Sequence, residues 1–255
     1  MDIQLKNKFL ELWQKYFKDS ELPITFYFSD DDGGIKKASP AKGWSCLVCE
    51  LSKVRNGVSL CYTEEAFKCG GAQRYLGYAE NIRENFEYFL SCGIPGELEG
   101  ERYKQSPEIV LETQKILKIL PSKGKNIIFK RWDKLDENDN PDVIIFFANP
   151  DVLSGLFTLA NFDCVQPDGG VFVPFGPGCG SIIHFPYLEK DKENPRAVIG
   201  MFDPSARPCV PKEILTFSVH YKKFMKMIGY MEESFLITGA WEKVSSRIMN
   251  SENRI

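Results

Sequence analysis

The sequence predicts an α/β fold, a single domain in which a mixed sheet is covered by helices. Two observations carry the prediction. Short β-rich runs alternate with amphipathic stretches along the chain, most regularly over about 126–230, and elements interleaved in this way pack as a sheet under helices rather than as a sandwich or a bundle. The 255 residues are 43% hydrophobic and 26% charged, a globular balance that can bury one large interior. No repeat of fixed period, low-complexity tract or long linker interrupts the chain, so one domain is expected over 1–255, with a cysteine-rich first third at about 44–77.

Each element has a local reason. Phe9, Leu10, Leu12, Trp13, Tyr16 and Phe17 recur at helical spacing and predict an amphipathic helix over about 4–18. Pro23-Ile24-Thr25-Phe26-Tyr27-Phe28 is β-branched and aromatic and reads as a strand, closed by the turn Ser29-Asp30-Asp31-Asp32-Gly33-Gly34. A loop with Pro40 leads to a predicted helix over 44–56, stopped by Asn56-Gly57. Val58–Tyr62 reads as a strand, and Thr63 as the N-cap of a short helix ending at Cys69-Gly70-Gly71. A helix is expected over 80–91, and Ser106-Pro107 opens another that reaches Leu120 before Pro121. Strands at 126–130, 142–149, 171–175, 197–202 and 215–219 then alternate with helices at 151–162, 179–187, 221–230 and 241–249. Glu189–Asn194 reads as a charged surface loop.

Charge and targeting narrow the function classes. Lys plus Arg number 32 against 35 Asp plus Glu, a net charge of −3, so no global positive field favours nucleic acid or anionic lipid. The opening Met1-Asp2-Ile3-Gln4-Leu5-Lys6 is too polar for a secretory segment, and no run reaches the ~18 apolar residues of a spanning helix. A cytoplasmic protein is expected, in which thiols stay reduced and clustered cysteines point to metal or redox chemistry before disulfides.

The 8 cysteines are the unusual feature. Four fall in the pattern Cys46-x2-Cys49-x11-Cys61-x7-Cys69, and Cys92, Cys164, Cys179 and Cys209 are scattered. Thiolates are soft ligands that suit zinc or an iron–sulfur cluster; buried cysteines also serve as small core hydrophobes. On a 44–56 helix, Trp44, Leu47, Val48, Leu51 and Val54 share one apolar face, while Cys46 and Cys49 lie about 60° apart on the opposite side. That position does not suit filler. The tryptophan before the C-x-x-C is also a thioredoxin-like trait, but a long loop stands here where that fold places a strand. Glycines after Cys69 allow close backbone approach to a cluster, or simply end a helix.

Gly176-Pro177-Gly178-Cys179-Gly180-Ser181 sits between a strand and a helix, where free N–H groups favour a thiolate or an anion. Cys179 is thus a distant ligand or a nucleophile, although His184 lies about 140° around the helix and is poorly placed as its base. His184 is expected to pack or hydrogen-bond, and His220, at a strand end, to take a surface or capping role. Asp203-Pro204-Ser205-Ala206-Arg207-Pro208-Cys209 reads either as a ligand-contacting loop, with Arg207 suited to a carboxylate, or as a surface turn.

The chain resembles the uncharacterised ArCR family of archaea and anaerobic bacteria. The matching stretches include Pro23-Ile24-Thr25-Phe26, Cys49 to Gly57, Cys69-Gly70-Gly71-Ala72, Arg102-Tyr103-Lys104, Pro141 to Phe147, Gly178-Cys179 and Gly200 to Arg207. The resemblance implies no assigned reaction. Its recurring cysteines match Cys69, Cys179 and one of Cys46 or Cys49, which implies that distant residues converge on one site; the C-x-x-C here doubles the first of them. The expectation is an iron–sulfur cluster of the 4Fe-4S type held by Cys46, Cys49, Cys69 and Cys179, with Cys61 in reserve, in a protein that meets a redox partner or a small-molecule ligand. The alternatives are a structural zinc site in a binding module, and a metal-free enzyme with Cys179 as nucleophile.

Overall fold

The computed structural model describes residues 1–39, 43, 45–79, 83–119 and 122–250. Expectations that rest on Pro40, Trp44, residues 80–82 and Leu120-Pro121 lie outside the described residues. The chain divides into two compact units, Met1–Ala72 with Lys123–Ile255, and Gln73–Ser122.

The chain opens with α1 (Ile3–Phe17), capped by the Asp2 carboxylate, and enters β1 (Ile24–Ser29). Then come the short helices α2 (Leu47–Glu50) and α3 (Ser52–Arg55), β2 (Leu60–Thr63) and α4 (Gly70–Tyr75). The Gln73–Ser122 unit holds α5 (Phe86–Phe89) and α6 (Pro107–Ile116), with a tight turn between them bridged by Ile94 and Leu98. Next are β3 (Asn126–Arg131), β4 (Val143–Ala148), α7 (Pro150–Ala160) and β5 (Val171–Phe172). The chain continues through α8 (Phe185–Leu188), β6 (Ala197–Gly200), β7 (Leu215–His220), α9 (Tyr221–Tyr230) and α10 (Gly239–Asn250).

The strands form one mixed sheet in the order β2-β3-β1-β4-β7-β6-β5, as an α/β sequence predicts. Every ladder is antiparallel except β5 with β6. The pleat sends alternate residues to opposite faces. Ile144, Phe146, Phe217 and Val219 point into the main core, where Trp13, Phe17, Phe224 and Trp241 of the helices meet them. Trp13 stacks on Phe17 at 4.3 Å, and Phe9 meets Trp132 edge-on at 5.1 Å. Phe26, Phe129 and Leu60, aligned across β1, β3 and β2, lie on the other face, where Tyr187 of α8 packs edge-on against Phe26 and Phe28.

Four local expectations are corrected. The 44–56 helix is two short helices: Cys46 is extended (φ −70°, ψ 132°), and the Ser52 hydroxyl donates to the Cys49 carbonyl, an alternative to the helical bond that breaks the run. After Thr63 only a 3₁₀ turn forms (Glu64–Ala66), because Phe67 leaves it to stack on Tyr62 at 5.2 Å. Cys69 therefore precedes a helix instead of ending one. The 179–187 helix widens into a π-turn over Gly180–His184 before α8, where Pro186 has no N–H to return to the preceding turn. Glu189, expected on the surface, is buried and accepts from Lys192 and from the backbone and side chain of Arg196.

His220 caps α9, as its strand-end position suggests, with Nδ1 accepting from the Lys222 N–H at 3.2 Å. Burial, followed by the nearby Lys190 and Lys222 and opposed by Asp191, lowers its pKa to about 4. The unfolded imidazole takes a proton near pH 6.5, so between about pH 6.5 and 4 the unfolded chain binds more protons and stability falls as the pH drops. We expect His220→Asn, which keeps a capping side chain, to flatten this slope in denaturant midpoints measured at pH 7.5 and 4.5. The slope is worth at most about 3 kcal/mol, less for solvent screening. An unchanged slope would refute it. No helix among the described residues is long and apolar enough to cross a membrane.

Candidate functional site

Four segments that are distant in sequence meet on the sheet face bearing Leu60 and Tyr62. The first is Cys46 to Cys49, with Cys46 at the N-cap of α2 and Cys49 exposed on its helix. The second is Cys69 at the start of α4, the third Gly178-Cys179, and the fourth the loop from Met201 to Cys209. Gly178 is their meeting point. A Cβ built there would stand 2.7 Å from Ala206 Cβ, 3.1 Å from Val48 Cγ2 and 3.5 Å from Met201 Sδ, so α2 and the 201–209 loop close on a position that only glycine fits. The Gly178 N–H donates to Asp203 at 3.0 Å. An internal carboxylate thus takes one of the N–H groups that the sequence offered to an external anion. Met201, fully buried, adopts φ 72°, the left-handed region unfavourable to a side chain, and its N–H donates to Ser181 Oγ at 3.4 Å.

Cys46, Cys69 and Cys179 come together as free thiols. Burial pushes the Cys179 thiol far up, and the neighbouring sulfurs of Cys69 and Cys46 and the Asp203 carboxylate push it further; the Gly180 N–H works the other way. Burial also raises Cys46. The Val48 and Cys49 N–H groups oppose that rise without closing a geometric cap bond, while Cys69 and Asp203 add to it. Without a cation beside them, the Cys46 and Cys179 thiols hold their protons. A helix-activated thiolate at Cys179, which the loop chemistry suggested, is therefore not what the fold produces: the residue is buried and its sulfur neighbours oppose ionisation.

Cys49 is bonded to Cys209, 160 residues on, with Cα atoms 4.6 Å apart. A half-cystine offers no thiolate, so in this state Cys49 stands beside the thiol group but outside it. Cys209 was legible only as the end of the proline-framed loop; nothing in its spacing announces a partner 160 residues away. In that same loop Arg207 gives Nη2 to the Pro211 and Lys212 carbonyls, closing a turn. Cys61 is elsewhere. The pleat of β2 turns it away from Leu60 and Tyr62 to the opposite face, fully buried with Tyr27 and Ile128 and 3.6 Å from Asn126 Oδ1. Cys92 is exposed, in the Gln73–Ser122 unit. His184 is buried and edge-on to Phe185. Among the described residues no group of three or more His, Cys, Asp or Glu side chains already stands in metal-binding arrangement.

A cavity of about 280 Å³ adjoins the thiols, with Cys69 in its wall beside Leu60, Tyr62 and Phe67. The sequence of one family, described as uncharacterised ArCR, matches residues 14–229, from within α1 to α9. The chain belongs to the ArCR family. No curated protein and no solved structure matches it. In this ArCR protein the stretches Cys49 to Gly57, Cys69 to Ala72, Gly178-Cys179 and Gly200 to Arg207, among those that carry the resemblance, overlap the four converging segments, the first of them at Cys49 alone.

Proposed function

We propose that this ArCR protein binds an iron–sulfur cluster, of the 4Fe-4S type, in a redox or small-ligand-binding role. One observation carries the reading: the thiols of Cys46, Cys69 and Cys179, from three separate segments, lie close enough that Cys69 opposes the ionisation of Cys46 and both oppose that of Cys179. Sulfurs crowded in this way are stabilised as thiolates by a bound cationic centre. The donor set fits such a group in chemistry, being all sulfur, and Cys49, three residues from Cys46, would be its fourth member once the bond to Cys209 is reduced. Bound, the cluster would supply one-electron transfer, or a Lewis-acidic iron if one position stays open. The chain's own part is to exclude water around Cys179 and to direct the Gly180 N–H at its sulfur, which favours the anionic form.

Protein purified anaerobically under reducing conditions should carry iron and acid-labile sulfide with visible absorption. We expect Cys69→Ser and Cys179→Ser to lose most of the iron, and Cys61→Ser, on the far face of the sheet, to keep it. Colourless, iron-free protein would overturn the reading, and zinc without sulfide would replace the cluster by a structural zinc site.

A further inference from the structure

We infer that the cavity beside Cys69 is a binding site for a small organic anion, a carboxylate or phosphate on a compact apolar body. At about 280 Å³ it lies at the small end of ligand pockets. Two features of its wall specify the ligand. Charge is the first: Lys36, Lys37, Lys53 and Lys68 line it against a single carboxylate, Glu50. Glu50 is itself held by Lys53 Nζ at 2.6 Å and by the Ser45 hydroxyl at 3.0 Å, and Lys37 is engaged by Asp32 at 3.2 Å. Lys36 remains to face a ligand anion, together with Lys68, whose charge also acts on Glu50.

The second feature is the Tyr62 hydroxyl. Tyr62 is only 3% exposed, and its phenol oxygen is buried with no hydrogen-bond partner among the described residues. A buried polar group left in that state carries its full desolvation penalty. Tyr62 lines the cavity, and an anionic oxygen that reaches the hydroxyl through a small movement of the wall would accept from it. The ring itself is held between Phe67, stacked at 5.2 Å, and Phe129, edge-on at 5.8 Å. Leu47, Leu60, Ala66 and Phe67 supply apolar wall for the remainder of the ligand. This site needs no metal, and it places a bound anion against Cys69, the thiol that the proposed cluster also uses.

The test is calorimetric titration of the full-length protein, metal-free and as isolated, with benzoate, phenyl phosphate and inorganic phosphate, and with neutral benzamide as control. At least one anion should bind, and benzamide should bind at least tenfold more weakly than benzoate or phenyl phosphate. The double variant Lys36→Met with Lys68→Met should lose at least tenfold, and Tyr62→Phe several-fold; both retain the fold, as circular dichroism will show. Saturating anion should slow alkylation of Cys69 by iodoacetamide and leave the exposed Cys92 unchanged. The inference is overturned if none of the three anions binds, if benzamide matches them, or if the lysine variant keeps full affinity. Because the metal-free protein is one arm, loss of the cluster reading leaves this result standing, and the reverse holds too.

Discussion

Alanine at Gly178 should empty the sulfur site while leaving the sheet folded. The added Cβ would stand 2.7 Å from Ala206 Cβ and 3.1 Å from Val48 Cγ2, and neither neighbour is the far end of a flexible side chain. The only relief is for α2 and the 201–209 loop to separate. Val48 is one residue from Cys49 and two from Cys46, and Ala206 is three from Cys209, so the separation moves the sulfurs directly. Overpacking of this kind costs about 1–3 kcal/mol. We expect Gly178→Ala to show that loss in denaturant unfolding and to retain less than half the iron of the parent after anaerobic reconstitution. Gly70→Ala is the control: it stands next to Cys69, and its Cβ would meet nothing within 4 Å. Equal iron in Gly178→Ala and the parent would show that the four segments are not held together at this glycine.

The largest loss of stability should come from Asp139→Asn. Lys130, in β3, is 7% exposed, and its ammonium sits 2.8 Å from the Asp139 carboxylate and 2.9 Å from Asp136. Asp139, 3% exposed, also accepts the Tyr27 hydroxyl and the Asp136 N–H at 2.6 Å. Burial alone would lower the Lys130 pKa; its hydrogen bonds to Asp139 and Asp136 outweigh that and raise it. Neutralising Asp139 leaves a buried cation with only the half-exposed Asp136. Breaking a buried pair from one side costs about 3–5 kcal/mol, and the remaining aspartate puts the expectation near the lower figure. For a chain of this size that is a fall in melting temperature of roughly 6–12 °C. A double-mutant cycle with Lys130→Met checks the cause: the two losses should be non-additive by at least ~1 kcal/mol. Additive losses would place the effect in the turn around Asp139 and not in the ion pair.

These two sites differ in how legible they were. The strands that carry them were read within about two residues of their bounds, because β1, β3 and β4 are apolar or aromatic runs between clear turn signals. The long helices α1, α7 and α9 followed from apolar spacing for the same reason. Where the sequence reading went astray, the segments were short and their backbone was decided by a partner outside them. Phe67 abandons a helix for the Tyr62 ring, and Ser52 takes the Cys49 carbonyl. A four-residue helix has too few bonds of its own to resist.

Local pattern alone was enough for the α/β class and the positions of most strands and long helices, since periodicity and composition are properties of neighbouring residues; that cysteines from separate stretches belong together was implied by the family resemblance. Tertiary structure alone decided which sulfurs meet. The pleat of β2 turned Cys61 to the wrong face, the approach of two segments at Gly178 brought Cys179 to Cys46 and Cys69, and a pairing across 160 residues gave Cys49 to Cys209. Such contacts are set by how strands cross and loops close in space, and no spacing along the chain encodes them.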